Sequence, residues 1–274
     1  MQNKNVALGL ALAGAFILGA TVIGFSSARS DNQSSQPPAK RVTTSFSDLQ
    51  EDEIGALVHA YLMDNPEVVI ETVNRYYMEQ RLAEEDGTKN AAKENIAYLL
   101  DEKTSYVTGK NPDKAKIAIV EMYDYHCGYC KKAAGMVKSL VKADADVKIV
   151  FRELPIFSAE SEYAAEMSLA ARDQGKFLDL HFALLNASGP LTKDRVDGFA
   201  RKQGLDVDKM HAAIKGSTIP AIIESNHQLA AGIGVSGTPI FIIVSVDGSY
   251  VDVVQGFNEE LIKDKLKQAK KAIG

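Results

Sequence analysis

The chain has little cysteine. Its 274 residues contain two, three positions apart. A scaffold stapled by several disulfides is therefore set aside, and so is a four-cysteine zinc site, because zinc wants about four ligands and no second pair exists. Histidine offers no metal site either. His59, His181, His211 and His227 fall on helical patterns without ligand spacing to one another, and read as structural. An excess of positive charge is also missing: 31 basic against 36 acidic residues leave a net charge of −5, so there is no nucleic-acid footprint. What remains, 46% hydrophobic and 24% charged, is ordinary globular composition, enough for one or two domains.

Taken in order, the chain opens on Val6–Phe25, an uncharged run preceded by Lys4 and followed by the small-residue site Ser26-Ser-Ala28. This predicts export of the rest of the chain. Residues 1–28 read as a cleaved signal peptide or, because about 20 apolar residues can span a bilayer, as a signal anchor left in the membrane. Residues 29–45 are polar, carry Pro37-Pro38 and read as a flexible tether. Three helical patterns follow. Ile54, Leu57, Val58, Tyr61 and Leu62 form one amphipathic face, opened by Ser47 or Asp48 and closed at Asn65. Pro66 suits the first position of a second helix, expected to break near Gly87. Ile96, Leu99 and Leu100 mark a short third one, before a turn-rich Thr108–Pro112. Such helices are too narrow to bury their own apolar faces. They dock on the rest of their own chain or on copies of themselves.

The chemistry is concentrated in KIAIVEMYDYHCGYCKK, residues 116–132. A strand, 116–125, runs straight into a helix that begins at Cys127 and buries Ala133, Met136, Val137, Leu140 and Val141. Cys127 then sits at a helix N-terminus, where free N–H groups and the macrodipole favour a thiolate, the species that attacks disulfides. Cys130, one turn on, is placed to resolve the mixed disulfide. Lys131 and Lys132 suit the neighbourhood of an anionic sulfur. A C-x-x-C after a strand reads as a thioredoxin-like redox motif. A purely structural disulfide across so few residues would close almost no loop. Haem attachment would need histidine where Lys131 stands.

Downstream, Asp146–Arg152 alternates as a second strand, making a parallel strand–helix–strand unit. The segment from Ser158 to about Gly234 is helical throughout, with helices at 164–171, 177–185, 192–202, 206–215 and 219–231. Two strands, 240–246 and 250–254, then flank the hairpin signal Asp247-Gly248, and a helix over 258–272 closes the chain.

The segment VEMYDYHCGYCKK resembles the active-site segment of the DsbA-like thiol-disulfide oxidoreductases of the bacterial periplasm. Phe46–Arg81 resembles the N-terminal oligomerisation region of the ScsC-like subgroup. These resemblances imply an α/β chain: a thioredoxin fold over 107–274 with a helical domain inserted at about 157–234, preceded by a helical oligomerisation region at 46–106. They imply no cofactor. They also imply that Pro239 is cis and faces the cysteines, its loop offering the N–H and C=O of Thr238 to an extended peptide. Glu121 would pass protons to or from Cys130, unless it is merely a solvated strand residue. His126, where DsbA itself has another type of residue, either stabilises the thiolate when protonated or is an exposed loop residue. Gly128-Tyr129 matches the dipeptide of DsbC-type isomerases, which favours isomerase or reductase work over oxidation. The implied partners are unfolded or misfolded secreted proteins, a DsbD-like reductase or a DsbB-like oxidase, and further copies of the chain as a dimer or trimer. A reading of another class is a Cu(I)-binding thiol pair.

Overall fold

The computed structural model describes residues 47–274; the expected signal segment and tether lie outside the described residues. No described helix is long and apolar enough to cross a membrane. Residues Leu62–Gly274 form one compact unit, and the described residues before them belong to another.

Helix α1, Asp48–Asp64, starts and ends where its pattern predicts, and its Ile54, Leu57, Val58 and Met63 are all exposed. Helix α2, Pro66–Glu94, does not break at Gly87. It continues because its last turns have something to pack on: Ala92 is buried against the sheet, and Lys89 reaches Asp252 on the last strand at 3.8 Å. Burial there outweighs the roughly 1 kcal/mol that a mid-helix glycine costs. The short α3, Ile96–Leu99, brings Leu99 into the same contact. The first half of α2 stays bare, with Val69, Ile70, Val73, Tyr77 and Leu82 exposed.

Five strands make one sheet, ordered β1–β3–β2–β4–β5. They are β1, Tyr106–Gly109; β2, Ile117–Tyr123; β3, Val147–Glu153; β4, Ile240–Ser245; and β5, Val251–Gln255. Only β2 and β3 run parallel, joined by helix α4, Gly128–Ala143. The edge strand β1 occupies part of a stretch expected to be turns. Four residues centred on Val107 and Thr108 gave too short an alternation to recognise; pairing with β3 makes them a strand. Gly248 turns the β4–β5 hairpin at φ +77°, a conformation that suits glycine.

Helices α5, Ala159–Ala170, α6, Phe177–Leu185, α7, Lys193–Lys202, α8, Val207–Ile214, and α9, Thr218–Gly232, fill the interval between β3 and β4. Helix α10, Glu259–Ala272, is capped by Asn258, whose Oδ1 accepts from Leu261 N–H at 3.0 Å. The central strand is buried on both faces and divides its side chains by period two. Ile117, Ile119 and Tyr123 join the core under α4, α6 and α10; Ala118, Val120 and Met122 join the core under the end of α2 and α9. On that second face the buried Arg152 ties three segments together. Its guanidinium donates to the carbonyls of Tyr98 and Leu99 and to Asn226 Oδ1.

Candidate active site

Cys127 is the N-cap of α4. Its extended backbone (φ −69°, ψ 118°) turns the sulfur back over the helix end, where Cys130 N–H donates to Sγ at 3.4 Å. The thiol itself donates to the Thr238 carbonyl oxygen at 3.1 Å. The Thr238–Pro239 bond is cis. Two segments 111 residues apart in sequence therefore meet at one sulfur. No described residue accepts from the Thr238 N–H.

The two cysteines are unlike. The Cys127 thiol is lowered to about 6, chiefly by the Cys130 thiol donating toward it; burial opposes the shift, and the Cys130 N–H, the Thr238 side-chain hydroxyl and the Tyr129 N–H add to it. Burial pushes the Cys130 thiol far up, and its partners Cys127 and Glu121 push further in the same direction. Cys127 keeps 4% of its surface exposed while Cys130 keeps none. The outer sulfur is therefore the more exposed and the more readily ionised of the two, and the inner one keeps its proton.

Glu121 is not solvated. Period two puts it on the face of Ile119 and Tyr123, beneath the cysteines, and its register partners are Phe151 on β3 and Phe241 on β4. The carboxyl is fully buried, neither oxygen has a partner among the described residues, and burial, then the charge on Cys127, raises its pKa to about 8. At pH 7 it holds its proton. It is a neutral acid next to a thiolate.

His126 bridges two segments beside the cysteine pair. Its Nε2 accepts from Leu191 N–H at 3.3 Å, and Nδ1 lies 3.0 Å from Ser161 Oγ. The ring thus ties the α6–α7 loop to α5. The two lysines are likewise engaged elsewhere. Lys131 Nζ donates to Ala187 O at 3.0 Å, and Lys132 Nζ lies 4.8 Å over the ring of Tyr129, itself 59% exposed. Gly128 opens α4.

Sequence reasoning missed Asp124. It is buried, yet Oδ1 accepts from His126 N–H at 2.6 Å and Ser161 Oγ at 2.9 Å, while Oδ2 accepts from Ile156 N–H at 2.8 Å and Phe157 N–H at 3.2 Å. Its carbonyl also takes the Cys127 N–H at 3.1 Å. The bond to the second residue on is an Asx-turn, a signal legible in Asp-Tyr-His; the bonds to the loop after β3 are not. Asp124→Ala is expected to cost roughly 2–4 kcal/mol, since it strands several buried donors, with Asp124→Asn intermediate. Urea denaturation of the reduced protein checks this.

Beside it lies a second buried group that local pattern did not announce. Glu153 Oε1 accepts from Tyr123 at 2.6 Å and Tyr125 at 3.0 Å, and Tyr125 also meets Ser168 and His181. Burial raises Glu153 to about 8 and lowers His181 to about 3, so the network is neutral at pH 7.

This site can exchange disulfides: an ionised sulfur at a helix end, a protonated sulfur behind it, a buried acid beneath both and a backbone N–H beside them. A family model described as a DSBA-like thioredoxin domain matches residues 118–267, more than half the chain. A second, the copper resistance protein ScsC N-terminal domain, matches residues 50–81. A thioredoxin-like oxidoreductase from Silicibacter pomeroyi DSS-3 is 34% identical, with a TM-score of 0.56 over 62% of this chain and 94% of that one. BcfH of Salmonella enterica Typhimurium is 29% identical, with a TM-score of 0.65 over 81% of this chain and 96% of that one. A 136-residue stretch is 31% identical to the Na(+)/H(+) antiporter NhaA 1 of Salinispora arenicola, covering 49% of this chain and 21% of the antiporter. The chain thus spans about a fifth of the length of that curated relative. Since the cysteine pair, the proline loop and strand β3 between them all fall within the matched residues, the chain belongs to the family of DSBA-like thioredoxin domains, in its ScsC-like subgroup.

Proposed function

We propose that the protein is a periplasmic thiol-disulfide oxidoreductase acting on protein disulfides, with isomerase or reductase work as its main task. The observation that carries this reading is the placement of Cys127 Sγ, at a helix end and 3.1 Å from the Thr238 carbonyl. The Cys127 thiolate attacks one sulfur of a substrate disulfide; that bond breaks, a mixed disulfide forms, and the departing substrate sulfur takes up a proton. Cys130 then loses its proton and attacks Cys127, which frees the substrate's second thiol and leaves the pair as a disulfide. In isomerisation a substrate thiolate makes the second attack, and the cysteine pair ends as it began. Thr238 offers its N–H and C=O to the substrate strand, and Glu121 exchanges a proton with Cys130. A DsbD-like reductase would recharge the pair for this work; a DsbB-like oxidase would serve an oxidising role.

Export follows from the apolar run at residues 6–25. Self-association is supported by the bare apolar residues of α1 and α2, which a second copy or two would cover. The test is insulin reduction and refolding of scrambled ribonuclease by the whole chain, and by a variant with Leu57→Lys and Val73→Lys. Wild type is expected to do both and to sediment as a dimer or trimer. The variant is expected to sediment as a monomer, keep its insulin activity and lose severalfold in ribonuclease refolding. A wild type inactive in both assays overturns the oxidoreductase reading; a monomeric variant with undiminished refolding overturns the oligomeric one.

A further inference from the structure

We propose that the cleft between the loop after β3 and helix α9 binds the substrate chain on one side of its reacting cysteine. It selects an extended segment that carries an apolar residue beside a lysine or arginine. This deepens the oxidoreductase reading and rests on it.

The cleft is open, about 580 Å³, and lined by Ile156, Phe157, Glu162, Pro220, Glu224 and His227 among others. Phe157 is 59% exposed and Ile156 42%. Loose loops often expose such residues, but this loop is held. Asp124 takes both of its N–H groups, at 2.8 and 3.2 Å, and the same residue takes the Cys127 N–H through its carbonyl. The apolar pair is therefore fixed against the turn that carries the nucleophile, and little conformational freedom is lost when a chain settles on it. Leu154 and Pro155 continue directly from β3, so the loop stands at the same end of the sheet as Cys127.

The charge is one-sided. Glu162 and Glu224 are both exposed, and neither forms an ion pair among the described residues; Glu224 accepts only from Gln228, at 2.8 Å. A lysine or arginine can lay its aliphatic stem on Phe157 and Ile156 and carry its charge to these carboxylates. An acidic segment meets repulsion instead. The Thr238–Pro239 loop reads only backbone, so side-chain preference has to come from a surface such as this one.

The test uses two fluorescent, cysteine-free peptides of one apolar sequence, differing only by arginine or glutamate at one position. Anisotropy with the full chain at low salt is expected to show the arginine peptide binding at least about fivefold tighter. Glu162→Gln with Glu224→Gln should bring the two affinities together, and Phe157→Ser should weaken both alike. Equal binding of the two peptides to wild type overturns the proposal. A preference that survives the double substitution overturns it too. Turnover of a small aromatic disulfide by wild type is measured separately. Its absence would refute the oxidoreductase reading, while the anisotropy ratio still decides the cleft.

Discussion

Cys127→Ser is expected to lower the rate of insulin reduction by about 10³-fold or more, because a serine hydroxyl stays protonated at neutral pH and supplies no sulfur for exchange. Cys130→Ser should fail differently: the outer sulfur still attacks, and the mixed disulfide accumulates as a slow band on a non-reducing gel. The pH dependence follows from the thiol's surroundings. With Cys127 lowered to about 6, its alkylation by iodoacetamide should rise with a midpoint near that pH. An ordinary cysteine would titrate near about 8.5. A midpoint there would mean that the helix end and the Cys130 thiol do not act on the sulfur, and the mechanism would lose its nucleophile. The same shift bears on redox poise. A thiol at about 6 rather than 9 favours the reduced pair at pH 7 by about 1.4 kcal/mol, or about 30 mV toward the oxidising side.

Glu121→Gln is expected to stabilise the reduced protein by roughly 3–5 kcal/mol at pH 8 and above, and by almost nothing near pH 4.5. The sign comes from the buried acid. Its folded pKa is about 8 against 4.5 for the free group, so between those values the native state binds more protons than the unfolded chain. Stability contributed by such a group falls as pH rises through that window. Removing the carboxyl removes the fall. Glu153, also raised to about 8, contributes a slope of the same sign, so the substitution should reduce the dependence on pH and not abolish it. Cys127 works the other way: its lowered pKa adds stability as pH rises from about 6 to 9. Urea titrations of wild type and variant from pH 4.5 to 8.5 give the comparison. Parallel curves would mean that Glu121 is solvated in solution and has no special part in the proton traffic of Cys130. Between two phenylalanines an apolar residue would serve stability better than so costly a group.

Much of this site was legible one residue at a time. The helix start at Cys127, the strand before it, the hairpin at Asp247-Gly248 and the closing helix all follow from apolar period and turn chemistry, which depend on near neighbours. Other features depended on what lay opposite. The second helix passes Gly87 because the sheet receives Ala92. The edge strand β1 exists because β3 offers it partners. His126 and Lys131 were read by their nearness to the cysteines along the chain, and each also has a hydrogen-bond partner in the 187–191 loop that no local pattern announces. Asp124 drew no notice because three of its four side-chain bonds go to residues more than thirty positions away.

The amino-acid order alone determined which sulfur caps the helix, since a helix's free N–H groups lie at its start and Cys127 is placed there. It determined equally which side of β2 Glu121 faces, because a strand alternates with a period of two. Only the tertiary structure decided what those groups would experience. The phenylalanines flanking Glu121, the Thr238 carbonyl at the sulfur and the held loop beside the cleft come from distant parts of the chain. Desolvation and hydrogen bonding act over a few ångströms of space, whatever the separation in sequence.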